Sequence, residues 1–386
     1  MRKLDEIDYH DHLVLVDAVQ NKLVLLNPVA KLVWESLQAG MTEEKMSDVL
    51  VARYGISGEM ARADIASIVG EWQLAGLLED SMPTNQSIPT GGGVPVDNSF
   101  SLKSTARLLQ PIEKYYQIGE YDLLIRYYLE DFYDFFHTQL LHFEIAPLET
   151  AYQYEVDLDG ADFVARFNGK ILVSDSSAAT ITSDLYESIL AYVYPGFDWL
   201  GLMHAAATGV NGKAVVFPAV SGSGKSTLSA GLMYAGFEYL GDDVVPVRRN
   251  DKKITPIVTT LSIKDGSWEL IGKFYPTLRN GREYERLGRR MRYLDVLKPE
   301  MGEKVCREIS HIIFPRYDSS EPELLREITP ADALSRLIGD NVWLGYPLQT
   351  QSVQEFLTWL DTKPLYSMTY QSLEQAIEWV REVTHD

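Results

Sequence analysis

The chain has 386 residues, enough for two or three domains that each bury a core. Its 46% hydrophobic and 23% charged residues are those of a globular protein, and no run approaches the roughly 18 unbroken apolar residues of a membrane span, so fibrous, disordered and membrane-spanning chains are not expected. Thirty-five Lys plus Arg against 55 Asp plus Glu leave a formal charge of -20, which repels nucleic-acid phosphate and makes nucleic acid an unexpected partner.

The single cysteine, Cys306, excludes an internal disulfide and a Cys-based zinc cage. Met1, Arg2 and Lys3 lead into acidic Asp5, Glu6 and Asp8 with no apolar signal core, so a cytoplasmic protein is expected. Leu13 to Val16 and Leu23 to Leu26 predict two short strands about a polar turn at Gln20 and Asn21. A helix follows from Pro28 to Gln38, with Pro28 suited to a first turn behind Asn27. A second helix follows Thr42 through Met46, Val49 and Leu50. A third runs from about Gly58 and carries Ile65, Ile68, Val69 and Trp72 at helical spacing before Gly76.

This hairpin with three helices, over residues 1–80, resembles the PqqD-like peptide-binding family. The residues that carry the likeness are Leu25 to Trp34 (LLNPVAKLVW), Gly40 with Thr42, and Trp72 to Asp80 (WQLAGLLED). The resemblance implies a winged-helix module that holds a precursor peptide for a modifying enzyme. The same pattern serves DNA binding or dimerisation, but the third helix offers few basic side chains to phosphate. Residues 81–99, SMPTNQSIPTGGGVPVDNS, lose all periodicity and read as a flexible linker.

The domain predicted for residues 100–386 opens with a portion, 100–200, that says little about function. Tyr121 to Phe143 reads as an aromatic-dense helix, with Tyr127, Tyr128, Phe132, Tyr133, Phe135 and Phe136 in a core or interface. Residues 151–175 alternate like strands, with turns at Asp159-Gly160 and Asn168-Gly169, and Ser183 to Tyr194 reads as a helix.

The chemistry concentrates in residues 201–386. An apolar strand, Ala214 to Phe217, enters the turn Ser221-Gly222-Ser223-Gly224-Lys225-Ser226-Thr227, and a helix with Leu228 and Leu232 leaves it. That is the context of a phosphate-binding loop. Gly222 and Gly224 let backbone N–H groups curl toward phosphate oxygens, Lys225 reaches the β- and γ-phosphates of ATP, and Ser226 offers its hydroxyl to Mg²⁺. Ala219 stands where the usual pattern has its first glycine. After the short strand Phe237 to Leu240, the pair Asp242-Asp243 can hold a metal or take a proton from an attacking hydroxyl; His204 closes the strand-like Leu200 to Met203.

Together these resemble the HPr kinase/phosphorylase family. There a His precedes the loop lysine by 21 positions and two Asp follow it at 17 and 18, the spacing of His204, Lys225, Asp242 and Asp243. The resemblance implies an α/β P-loop kinase domain in which Asp243 is the base toward a serine hydroxyl. Lys225 and Ser226 serve ATP and Mg²⁺, Asp242 supports the metal, and His204 lines the site. Ile312 to Tyr317, Ile328 to Ala333 and the helix Leu373 to Val383 look more like the shortened relatives of peptide-modification clusters, with lasso-peptide tailoring kinases the nearest functional kin. Where the full-length family has a metal-binding Glu, this chain reads Leu261-Ser-Ile-Lys264, so Ser262 replaces it; Glu269 lies seven residues on.

The basic run Arg282, Arg286, Arg289, Arg290 and Arg292 reads either as a solvated face paired with Glu283 and Glu285, or as a contact for a phosphoryl group or an acidic peptide. Arg290 and Arg292, just before strand-like Tyr293-Leu294, are the first choices for the second role. The expectation is an ATP- and Mg²⁺-dependent kinase of a serine hydroxyl on a precursor peptide, with a homo-oligomer allowed. A kinase of a free amino acid or sugar and a nucleotide-sensing regulator are the alternatives.

Overall fold

The computed structural model describes residues 4–78, 106–118, 121–150, 152–193, 198–220, 222–286, 289–296, 306–338, 341–345 and 347–385. The expected linker at 81–99 lies outside them. By contacts the chain divides into two compact units, residues 1–92 with 328–362, and residues 93–327 with 363–386. Among the described residues no helix is long and apolar enough to cross a membrane.

The first unit begins with an antiparallel sheet in the order β1 (Asp5–Tyr9), β2 (His12–Asp17), β3 (Lys22–Leu26). Three helices follow: α1 (Pro28–Gln38), α2 (Glu43–Tyr54) and α3 (Gly58–Leu74). Side chains of Asn27, Thr42 and Ser57 accept from the backbone N–H of the third residue of each helix, a cap that contributes about 1 kcal/mol apiece. Leu13, Leu15 and Leu26 from the sheet meet Val33, Trp34, Leu50, Ile65 and Trp72, and the two indoles lie edge to face at 5.2 Å. The strand β1 is not among the expected elements: with five residues, three of them acidic, it offers only Ile7 and Tyr9 as apolar positions, too few to set a period.

The opposite face of this sheet is also buried. Asp5 pairs with Val16 and Ile7 with Val14, so these side chains share the face away from Leu13 and Leu15, and Ile7, Val14 and Val16 are buried.

The second unit opens with β4 (Arg107–Ile118), β5 (Tyr121–Leu129), α4 (Glu130–Leu140), β6 (Glu144–Ile145), β7 (Tyr152–Asp159), β8 (Asp162–Phe167), β9 (Lys170–Asp175) and α5 (Ala178–Val193). The strands form one sheet in the order β6-β4-β5-β7-β8-β9. The expected helix over Tyr121 to Phe143 is therefore corrected: its first nine residues are β5. Leu123, Ile125, Tyr127 and Leu129 are buried on one face, while Leu124 and Tyr128 stand among Asp122 and Arg126 on the other and blur the period-2 pattern in the sequence. Tyr116 Oη bonds both Tyr127 Oη and His137 Nδ1 at 2.9 Å in this core.

The larger sheet uses β10 (Trp199–Met203), β11 (Ala205–Val210), β12 (Lys213–Pro218), then after α6 (Lys225–Tyr234) β13 (Glu238–Gly241), β14 (Val245–Arg248) and β15 (Lys253–Ile254). A small sheet, β16 (Leu261–Lys264), β17 (Tyr284–Arg286) and β18 (Arg289–Leu294), flanks α7 (Trp268–Phe274) in sequence. The chain then adds β19 (Arg307–Tyr317), β20 (Leu324–Glu327), α8 (Pro330–Leu337), β21 (Val342–Trp343), α9 (Thr350–Leu360), β22 (Leu365–Tyr370) and α10 (Leu373–Thr384). In the large sheet β13, β11, β12 and β19 are successive neighbours, and β22 pairs with both β19 and β20. β12, β19 and β22 are parallel; β11 is antiparallel to both β12 and β13, so β13 shares their direction. Their carboxyl ends all open on one edge. Val215, Phe217, Leu228, Leu232, Ile313, Met368 and Val380 fill the core beneath.

The helix α9 belongs to the first unit, a grouping that a boundary at residue 99 does not include. Thr350 donates to Asp5 at one end of β1, and Tyr9 Oη donates to Asp361 at 2.7 Å at the other, with His10 Nε2 3.0 Å from the same oxygen. Leu348 N donates to Asn21 Oδ1 at 2.7 Å. Eleven helical residues rise about 16 Å, close to the reach of five strand residues, so α9 runs the length of β1. A chain beginning near Phe100 therefore loses the strand that α9 lies along. It is expected to melt below the full-length protein and to bind a dye for exposed apolar surface; equal melting curves would show that residues 328–362 stand without β1.

Candidate functional site

The edge where β12, β13, β19 and β22 end gathers the predicted residues. β12 leads through Pro218 into the turn, and Gly224, at φ 90°, is the N-cap of α6. Only glycine fits there, because a Cβ would lie 2.4 Å from Tyr370 Oη and 3.0 Å from Tyr317 Cβ. Two strand ends brace this turn: Tyr317 N donates to Ser223 O at 2.9 Å and Tyr370 Oη to Gly224 O at 3.2 Å. Gly222 also takes a positive φ of 96°, and Ser223 N donates to Val220 O at 3.2 Å. Ser221 lies outside the described residues.

Lys225, the first residue of α6, is buried beneath the turn. Its ammonium lies 3.2 Å from His204 Nε2, 3.3 Å from Asp243 Oδ1 and 3.7 Å from Asp242 Oδ1. An ammonium can only donate, so in that bond His204 Nε2 is the acceptor. Ser226 Oγ donates to Asp242 Oδ2 at 2.6 Å. The hydroxyl of Thr227 turns elsewhere, 2.7 Å from Ser267 Oγ.

The two aspartates occupy different surroundings. Gly241 ends β13 where a Cβ would meet Ile257 O at 2.8 Å, and the chain then turns sharply, with Asp243 at φ 70°. Asp is among the few residues that accept this left-handed conformation. Asp242 Oδ1 accepts from Asp243 N at 3.0 Å, and the first carboxylate is buried while the second is exposed. Burial pushes the Asp242 carboxyl up to about 6, against the pull of the Lys225 ammonium and the Ser226 hydroxyl. The Asp243 side chain is 62% exposed.

Two further cations reach this edge. Arg289 Nη1 lies 3.6 Å from where a Cβ on Gly222 would stand. Lys264 is half-buried; burial lowers its pKa, Arg289 and Lys225 push the same way, and Asp243 and Asp242 oppose them. Arg290 and Arg292, preferred from sequence, have protein partners in place. Both guanidinium groups stack on Trp268, at 5.4 and 4.0 Å; Arg290 pairs with Asp265 and Glu283, and Arg292 bonds Glu283 and the carbonyls of Leu278 and Arg279. Residues two apart on a strand share a face, which leaves Arg289 on the other. That parity was the signal available in the sequence for Arg289. For Lys264 the signal was its alternation with buried Leu261 and Ile263. Arg282 bonds Asp134, and the Arg286 side chain lies outside the described ones. Ser262 Oγ contacts Met291 Sδ at 3.6 Å, and Glu269 is exposed on α7.

Chemically, successive N–H groups, a helix N-terminus and a lysine form an anion-binding arrangement. The buried carboxylate joined to a serine hydroxyl is an oxygen pair suited to a hard divalent cation. Among the described residues no three His, Cys, Asp or Glu side chains form a cage, and Mg²⁺ needs none, since it takes one or two carboxylates together with substrate phosphates and water.

Residues 12–78 match the family model described as coenzyme PQQ synthesis protein D (PqqD), and this part of the chain is a PqqD domain. Among solved structures, the Hpr(Ser) kinase/phosphatase from Coxiella burnetii aligns with 47% of this chain and 95% of its own, at 13% identity and a TM-score of 0.24. No curated protein matches the chain.

Proposed function

We propose that the chain is an ATP- and Mg²⁺-dependent kinase that phosphorylates a hydroxyl, serine in the first instance, of a ribosomally made precursor peptide held by the PqqD domain. The observation that carries this reading is the pair of carboxylates in opposite settings about one lysine: Asp242 buried on Ser226, Asp243 exposed where an acceptor can reach it. In the proposed reaction the turn from Gly222 to Ser226 cradles the phosphates of ATP. Mg²⁺ held by Ser226 Oγ and Asp242 would neutralise charge on the β- and γ-phosphate oxygens. Asp243 takes the serine proton while the serine oxygen bonds the γ-phosphorus and the bond from that phosphorus to the bridging oxygen of ADP breaks. Lys225 follows the charge that shifts toward that bridging oxygen, and His204 keeps its ammonium aimed. The peptide can add as a strand along β3, one of the two outer strands of its sheet.

The test is incubation of the full-length protein with labelled ATP, Mg²⁺ and precursor peptides encoded nearby, read by mass spectrometry. A single added phosphate on a hydroxyl residue is expected. Label on a free amino acid or sugar and none on any peptide would overturn the peptide assignment.

The same reading separates the arginines. Arg289→Ala is expected to raise the KM for ATP about tenfold or more, the loss of a charge-assisted contact to phosphate. Arg292→Ala is expected to lower the Tm and leave that KM near its starting value, because its partners are Trp268, Glu283 and two carbonyls. Steady-state kinetics with a thermal melt on both variants decides, and the opposite pattern would return the phosphate role to Arg292.

A further inference from the structure

The phosphates of a nucleotide have their groups in the turn, but its base has none yet. In open α/β sheets a ligand lies outside the carboxyl ends of the parallel strands. β12 ends in the phosphate turn, and the next two parallel strands, β19 and β22, end in register at Tyr317 and Tyr370. The two rings differ. Tyr370 is 2% exposed and its hydroxyl is spent on Gly224 O, whereas Tyr317 is 52% exposed. Their centroids are 5.8 Å apart at 63°, so Tyr370 supports the Tyr317 ring from its side.

The backbone that carries this ring is pinned on both sides. Tyr317 N donates to Ser223 O at 2.9 Å and Asp318 N to Tyr370 O at 3.1 Å. The Asp318 carboxylate accepts from Ser320 N at 3.0 Å and Ser320 Oγ at 2.6 Å and pairs with Arg316. The backbone that presents this half-exposed ring is thus fixed against the loop that would take the phosphates, which lowers the ordering cost of a ligand stacking there.

We infer that Tyr317 is the platform on which the base of the nucleotide stacks; this rests on the nucleotide reading above. Every base has a π face, so the platform serves adenine and guanine alike and adds affinity without choosing between them. Isothermal titration of the full-length protein with Mg-ATP, Mg-GTP and Mg-tripolyphosphate tests it, on the parent, Tyr317→Ala and Tyr317→Phe. Tyr317→Ala is expected to weaken both nucleotides about tenfold and leave tripolyphosphate unchanged, while Tyr317→Phe keeps all three. Unchanged nucleotide affinity in Tyr317→Ala would overturn the stacking role and leave the phosphate site standing. Equal weakening of all three ligands would overturn it too, since the ring would then act by shaping the loop. A parent protein that binds none of them would remove the nucleotide reading itself.

Discussion

Lys225→Ala is expected to lower phosphoryl transfer by on the order of 10³-fold while the fold survives. The ammonium is buried under the turn and lies within 4 Å of His204, Asp243 and Asp242, a position that Ala leaves without a charge. Its charge acts most strongly where the transferring group gains charge, which places the loss in kcat more than in KM. Survival of the fold follows from Asp242. That carboxyl is already pushed up by burial, and without the ammonium it rises further and takes a proton instead of remaining a lone buried charge. Single-turnover rates with a circular-dichroism melt are the measurement. A variant that kept most of its turnover would show that this turn is not where phosphate is transferred.

Asp243→Asn is expected to reduce the rate by about 10²–10⁴-fold and to leave ATP affinity nearly unchanged. The side chain is exposed, and Asn keeps its shape, accepts the same left-handed backbone and still offers an amide oxygen to the Lys225 ammonium, so what is removed is the negative charge and with it the capacity to take a proton. Asp242→Asn should act differently. It removes a carboxylate that Ser226 and Lys225 both contact, and is expected to raise the Mg²⁺ concentration needed for half-maximal rate. Titration of both variants with Mg²⁺ separates the roles, and the reverse pattern would exchange them.

Much of this site could be read in the sequence because its members sit at the ends of strands that run the same way. β12 delivers Lys225 through a contiguous turn, β13 delivers Asp242 and Asp243, and antiparallel β11 begins beside His204, so short spacings along the chain become short distances in space. What was not legible depends on facing and on long-range packing. Whether Arg289 or Arg290 meets the turn depends on the register of β18, which one residue reverses. The strand β5 hid in an aromatic run because apolar Leu124 and Tyr128 on its second face blur the alternation set by Leu123, Ile125, Tyr127 and Leu129. Nothing in the amphipathic stretch from Thr350 to Leu360 names β1 as its partner, some 350 residues away.

That last pairing bears on how the protein is made. The PqqD domain leaves the ribosome well before residues 350–361, yet the residues that bond to Tyr9 and Asp5 are Asp361 and Thr350. At typical synthesis rates of about 5–20 residues per second, roughly 17–70 s separate the emergence of the bonded partners. Throughout that interval β1 and β2 expose Ile7, Val14 and Val16 on a face that is buried in the finished protein. Chaperone dependence during translation, and the tendency of shortened chains to aggregate on expression, should therefore track the arrival of residues 350–361 and not the completion of the first 80.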